Sequence, residues 1–166
     1  MNEIESRLKR AESFGEIFTL VKRCVYENIG RRRAGLMLGL YPLGFSPRGF
    51  IGAYHQLDSN LIVINESLIN KISKERPKML NYYVFHLLMH EYLHSLGIVD
   101  EEVTRLLTEK IAEQTFGPSH ILTKIARRFE AYLPNIKYPE SNSLSLESTY
   151  ITLIEGFEKE DTSYIG

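Results

Sequence analysis

Two histidines and a glutamate stand close together in the middle of the chain, in the order His90-Glu91-Tyr92-Leu93-His94. Residues four apart on an α-helix lie on the same face, so a helix here would let both imidazoles bind one tetrahedral metal ion. Glu91 could then take a proton from a water molecule at that ion and pass it to a leaving group. The segment therefore predicts a zinc site with His90 and His94 as ligands and Glu91 as the general base of a hydrolase.

A catalytic zinc normally has a third protein ligand, and the residues after His94 include several acidic candidates. Gly97 can adopt the left-handed conformation that reverses the chain, which would return Asp100 toward the metal. Asp100 would fit equally well as the N-cap of the following helix. The alternatives are glutamates of that helix, each of which would otherwise belong to a solvated helix face: Glu101, Glu102, Glu109 and Glu113.

The segment from His90 to Asp100, H-E-Y-L-H-S-L-G-I-V-D, resembles the zincin metallopeptidases over eleven residues. Its extension is similar to the metzincin pattern H-E-x-x-H-x-x-G-x-x-H/D. The resemblance implies one zinc ion, with His90, His94 and Asp100 as ligands, Glu91 as the base and Gly97 at the turn. Metzincins have a methionine turn after this motif, whereas the last methionine here is Met89. A compact gluzincin-like arrangement, with the third ligand on the next helix, therefore stays open.

Other histidines and one strand have less definite roles. Zincins carry an edge strand that pairs with extended substrate, and residues 60–64 are placed to resemble it. His86 lies four residues before His90, but three ligands from one straight helix would lie too far apart for one ion, so we expect a packed core histidine. His55, His120 or a tyrosine could stabilise an oxyanion, and the sequence does not choose among them.

The elements that must position these residues follow from the apolar periodicity. We expect a helix over 13–30 with a Ser13–Glu16 capping box, and strands over 34–41, 50–54 and 60–64. Further helices are expected over 65–74, 77–96 and 121–133, and another is expected to begin at the cap residue Asp100. This pattern predicts an α+β fold in which a small, mostly antiparallel sheet packs with a helical majority around a zincin-like active-site helix. We expect a catalytic domain over 1–140 and a tail over 141–166, which would add an edge strand at 150–154 or cover the cleft.

Composition narrows the function classes. Hydrophobic residues make up 43% and charged residues 25%, which is ordinary for a globular domain. A net charge of -1 gives no overall attraction to nucleic acid or to an anionic membrane, and we assign the basic run 31–33 to the end of the preceding helix. The single cysteine, Cys24, excludes an intramolecular disulfide and a cysteine-based zinc site. The N-terminus has neither a secretion signal nor an apolar span, which favours a cytoplasmic location.

The sequence thus predicts a zinc metallopeptidase that acts on a peptide or protein substrate. Two alternatives remain open. One is a metal-dependent endoribonuclease of the rRNA-processing type, whose motif H-G-x-x-H-x-x-G-x-D-H has a similar spacing but a glycine where this chain has Glu91. The other is a non-catalytic metal-binding module, which would need a closed four-ligand site.

Overall fold

Helices make up most of the computed structural model, which describes residues 2–134 and 150–158. The helices are α1 (Glu3–Arg10), α2 (Phe14–Ile29), α3 (Glu66–Glu75), α4 (Leu80–Ser95), α5 (Glu101–Phe116) and α6 (Ile121–Arg127). The strands are β1 (Met37–Tyr41), β2 (Ala53–His55), β3 (Leu61–Asn65) and β4 (Thr152–Leu153), and two 3-10 helices span Pro77–Met79 and Phe129–Tyr132. The α+β fold with a helical majority is confirmed.

The sheet has the strand order β2-β3-β1-β4. β1 and β3 are parallel at its centre, while β2 on one side and β4 on the other pair antiparallel with them. β3 is therefore an interior strand, and Ile62, Val63 and Ile64 are fully buried. The prediction that residues 60–64 form the exposed edge is wrong, because β2 pairs with β3 on the side away from β1. In the described part of the chain, β2 is the edge strand on that side.

The helix ends agree closely with the chemistry of their capping residues. Ser13 accepts a hydrogen bond from the backbone of Glu16 at the start of α2, and Gly30 ends that helix with a φ of 68°. The Glu16 carboxylate returns to the backbone N–H of Glu12, one residue earlier than in a standard capping box. Asn65 caps α3 in the same manner, by accepting from the backbone of Ser67.

Helix α4 lies inside the domain. Eleven of its 16 residues are buried, and it packs between α2, α5 and β2. A helix that is apolar on all sides has no exposed stripe, which explains why its sequence does not alternate clearly between polar and apolar faces. Its last two turns carry the two histidines of the motif, so a rigid, buried element positions the candidate site.

The described part of the tail, residues 150–158, lies at the edge of the sheet opposite β2 and contributes one buried residue, Phe157, to the core. β4 pairs with β1, and Phe157 is buried against Phe18 with ring centroids 4.3 Å apart. Glu158 accepts hydrogen bonds from the backbone of Leu36 and Gly35. The expected edge strand is thus present over Thr152–Leu153, whereas residues 141–149 and 159–166 of the predicted tail lie outside the described residues.

Within residues 2–134 and 150–158, no helix has both the length and the apolar character needed to cross a membrane.

Candidate metal centre

The two histidines of the motif lie one turn apart near the end of α4. The ring centroids of His90 and His94 are 4.8 Å apart, and the ring planes meet at 80°. Both side chains are mostly buried, with 18% and 12% of their surfaces exposed. Burial lowers the pKa of His90, while the Glu101 carboxylate opposes this shift. A buried imidazole that stays neutral keeps a lone pair for a metal ion.

Glu101, the first residue of α5, completes the cluster. After α4 ends, Gly97 reverses the chain with a φ of 101°, and α5 begins four residues later. The two carboxylate oxygens of Glu101 lie 3.1 Å from Nε2 of His90 and 2.8 Å from Nε2 of His94. One ligand atom from each of the three residues lies within 4.8 Å of the other two. This His-His-Glu group could hold a metal ion.

The other acidic candidates lie elsewhere. Asp100, the first choice for third ligand from the sequence, accepts a hydrogen bond at Oδ1 from the backbone of Val103 and caps α5. Glu102 pairs with Arg105 at 2.9 Å. Glu109 and Glu113 face Arg127, at 2.7 Å and 3.8 Å. Among the acidic residues considered from the sequence, the structure brings Glu101 alone to the two histidines.

The hydrogen bonding of His94 supports a cation at this cluster. Its Nδ1 lies 2.6 Å from the carbonyl oxygen of Ile98, so the ring proton belongs on Nδ1, where it can be donated to that oxygen. Nε2 then carries a lone pair, and it lies 2.8 Å from a carboxylate oxygen of Glu101. It is buried and makes no hydrogen bond to any described residue. A cation bound by both atoms would remove the repulsion between their lone pairs, and an imidazole whose other nitrogen donates to a backbone carbonyl is typical of metal ligands.

Glu91 lies beside the cluster and is almost fully buried, with 5% of its surface exposed. Burial raises its pKa to about 8, with a further contribution from the negative charge of Glu101, while a hydrogen bond with the backbone of His55 acts in the opposite direction. Carboxyl groups whose pKa lies near neutrality can both accept and release protons at physiological pH. Glu91 is therefore a buried, titratable carboxyl group next to the cluster.

The edge strand β2 lies next to Glu91. Gly52 accepts a hydrogen bond from Asn65, and Gln56 donates one to Leu61, so both point toward β3. In an antiparallel pair the hydrogen-bonding direction alternates, so the backbone groups of Ala53 and His55 point away from β3. This orientation accounts for the contact of His55 with Glu91. It leaves the N–H and C=O of Ala53 directed outward from the sheet.

A cavity of about 340 Å³ opens beside the cluster, and His90, Glu91 and Glu101 form part of its wall. The remaining wall is contributed by β2 and the residues before it, by α4, α5 and α6, and by the second 3-10 helix: Phe50, Gly52, Ala53, His86, Leu87, Glu102, Arg105, Ala126, Arg127, Phe129 and Glu130. Its size lies at the lower end of the roughly 300–1,000 Å³ typical of small-molecule sites. It is therefore a candidate site for one substrate group.

Two arginines hold the end of α4 in place. Arg33 donates to the carbonyl oxygens of Ser95, at 2.7 Å, and of Ser59, at 3.1 Å. Arg31 donates to the carbonyl oxygen of Leu96. Arg32, the remaining arginine of the run that we assigned to the end of α2, contacts that helix through the Tyr26 ring, whose centre lies 4.7 Å from the guanidinium. The other two satisfy C-terminal carbonyls of the helix that carries the histidines.

The remaining histidines have structural partners. The side chain of His55 bonds to the carbonyl of Ser59, and His120 caps α6 while pairing with Glu5 at 3.0 Å. His86 is stacked on Phe129, and burial together with the nearby His90 lowers its pKa to about 3. His86 is the packed histidine expected from the sequence, and it also forms part of the cavity wall.

Comparisons with protein-family models, with curated proteins and with solved structures gave no match.

Proposed function

We propose that this protein is a zinc-dependent peptidase. The observation that carries the proposal is the convergence of two imidazole nitrogens and one carboxylate on a single point, with a second, buried carboxylate beside them. Two histidines and one glutamate form a ligand set used by catalytic zinc, and three protein ligands leave a coordination position open. A structural zinc site would need a fourth ligand, and the described residues at this cluster offer three.

In this proposal, His90, His94 and Glu101 hold the ion. Bound zinc supplies a Lewis acid that polarises a carbonyl group and makes water more acidic. Glu91 accepts a proton from the attacking water and then donates it to the departing amine. Its burial favours this role, because a desolvated carboxylate accepts a proton more readily than a solvated one. A hydrogen bond with the backbone of His55 holds this carboxylate.

The position of β2 favours a peptide as the substrate. The outward-facing N–H and C=O of Ala53 can pair with an extended backbone, which adds a strand to the edge of the sheet. Such pairing recognises the peptide backbone and not its sequence. Since β2 and the cluster border the same cavity, a peptide placed along this edge would pass beside Glu91.

The proposal is tested by zinc content and peptide hydrolysis measured on the same preparations. Elemental mass spectrometry of chelator-free protein should find one zinc per chain, and His94→Ala and Glu101→Ala should remove it. Glu91→Gln should keep the zinc and lower the hydrolysis of a fluorogenic peptide library by at least about 100-fold, the low end for loss of a general base. Glu113→Gln is the matched control, because Glu113 lies on the same helix as Glu101 but pairs with Arg127 and is not part of the cavity wall, and it should change neither quantity.

The outcomes separate the alternatives. A stoichiometric zinc without hydrolysis of any peptide would contradict the peptidase and favour a structural metal. Cleavage of RNA that depends on Glu91, without cleavage of peptides, would favour the endoribonuclease. A protein that binds no zinc would remove the basis of all three.

A further inference from the structure

The cavity beside the metal cluster has a wall rich in aromatic rings. Phe129 contacts two other rings of the wall: it is stacked on His86 with ring centroids 5.3 Å apart, and it is tilted relative to Phe50 with centroids 6.5 Å apart. Leu87 and Ala126 add aliphatic surface. His86, Leu87 and Ala126 are buried, and Phe50 and Phe129 are half-buried. Among the charged wall residues, Glu91 is buried at the metal cluster and Arg105 is half-buried, whereas the exposed ones form a polar mouth: Glu101, Glu102, Arg127 and Glu130. Apolar cavities with polar groups at one side are the usual form of a ligand pocket.

The aromatic wall is held in a fixed position. The hydroxyl of Tyr83 donates to the carbonyl oxygen of Phe129 at 3.0 Å, and the two rings meet edge to face. Arg76 donates to the carbonyl oxygen of Tyr132 at 2.7 Å, which fixes the end of the same 3-10 helix. A pocket whose wall is already ordered loses little entropy when a ligand enters, so its shape can discriminate between ligands.

The charges at the mouth do not favour an acidic ligand. Arg105 pairs with Glu102 at 2.9 Å, and Arg127 pairs with Glu109 at 2.7 Å, so both guanidinium groups already have carboxylate partners. The wall histidine outside the proposed ligand set, His86, is buried and stacked on Phe129. The carboxylates of the mouth outnumber its two arginines, so an acidic group is disfavoured there, and the apolar part of the wall offers ring packing, which aromatic groups exploit best.

We infer that this cavity binds an aromatic side chain of the substrate, so that the protein selects peptides with a phenylalanine-like residue beside the bond to be cleaved. The inference rests on the proposed function, since it assigns the cavity to the substrate of the same site. Phe129, Phe50 and His86 are the specificity-determining residues, and none of them belongs to the metal ligand set.

The first experiment uses metal-free protein, so that it does not depend on zinc. N-acetyl-phenylalanine amide, N-acetyl-alanine amide and N-acetyl-arginine amide are titrated separately, and NMR shifts are followed at the Ala126 methyl group and the His86 ring. The phenylalanine amide should shift both signals in a saturable manner, and the other two should not. Equal effects of all three amides, no effect of any, or a preference for the arginine amide would each overturn the inference.

The second experiment uses the zinc-loaded protein with two zinc-binding probes, acetohydroxamate and benzohydroxamate. The phenyl group should strengthen binding at least tenfold. Phe129→Ala should reduce that advantage to less than threefold, while Tyr132→Ala, on the same 3-10 helix but outside the cavity wall, should preserve it. Equal affinity for the two probes would overturn the aromatic pocket and leave the zinc site intact. Failure of both probes to bind, together with a saturable effect of the phenylalanine amide, would instead contradict the proposed catalytic zinc.

Discussion

The neighbouring residues Asp100 and Glu101 offer a crossed test, because the structure gives them separate tasks. Asp100 caps α5 through the backbone of Val103, and Glu101 faces the two histidines. Glu101→Gln should therefore weaken zinc binding and leave the fold unchanged. Asp100→Ala should weaken the fold and leave zinc binding unchanged.

The expected magnitudes follow from the two contacts. Changing a residue that merely supports a zinc ligand typically lowers metal affinity about 10- to 100-fold, so loss of a direct ligand should cost at least about 100-fold, or about 2.8 kcal/mol. The Glu101 side chain is 78% exposed, so its pairing with the histidines adds little to the stability of the metal-free protein. Loss of the Asp100 cap should lower the free energy of unfolding by about 1 kcal/mol.

Two measurements check this pattern. Competition with a chromophoric chelator measures zinc affinity, and urea unfolding of the metal-free variants measures stability. Asp100→Asn serves as the matched control for the cap, because asparagine caps a helix as well as aspartate does. If Asp100→Ala lost zinc while Glu101→Gln retained it, the assignment of Glu101 as third ligand would be refuted, and Asp100 would be the ligand that the metzincin-like spacing implies.

Three further predictions concern the surroundings of the site. Arg33→Ala should lower the free energy of unfolding, measured in urea, by about 2 kcal/mol, because two charged hydrogen bonds to backbone carbonyls are lost. Arg32→Ala should change the free energy of unfolding little. Equal effects of the two substitutions would contradict the anchoring of α4 by Arg33. Because the pKa of His86 falls from 6.5 to about 3 on folding, the unfolded chain binds this proton more readily. The free energy of unfolding should therefore be highest above about pH 6.5 and should fall as the pH is lowered, by about 2 kcal/mol at pH 5. The metal-free His86→Phe variant should show a correspondingly weaker dependence of unfolding on pH. Phe157→Ala should cost about 3 kcal/mol, since the ring is buried against Phe18, and an unchanged unfolding midpoint would show that the segment 150–158 is dispensable.

The local elements could be read from the sequence because their causes are local. The capping residues Ser13, Asn65 and Asp100 lie where the helices begin, and Gly30 and Gly97 lie where helices end or the chain reverses. Each depends on a side chain that bonds to a nearby backbone group or on a glycine in the left-handed region. The spacing of His90 and His94 required only a helix to place both on one face.

Tertiary structure decided what depends on distant parts of the chain. The choice of Glu101 over Asp100 depends on the angle at which α5 leaves the turn after Gly97, because adjacent residues at a helix start point in different directions. The interior position of β3 depends on the pairing of β2, which brings a segment earlier in the chain to the outer side of the sheet. Three residues that belong to no motif contact α4 or line its cavity from distant parts of the chain. Arg33 and Phe50 lie 57 and 40 residues before His90, and Phe129 lies 39 residues after it. Local chemistry thus determined which residues could bind a metal ion, and packing between distant segments determined which of them meet.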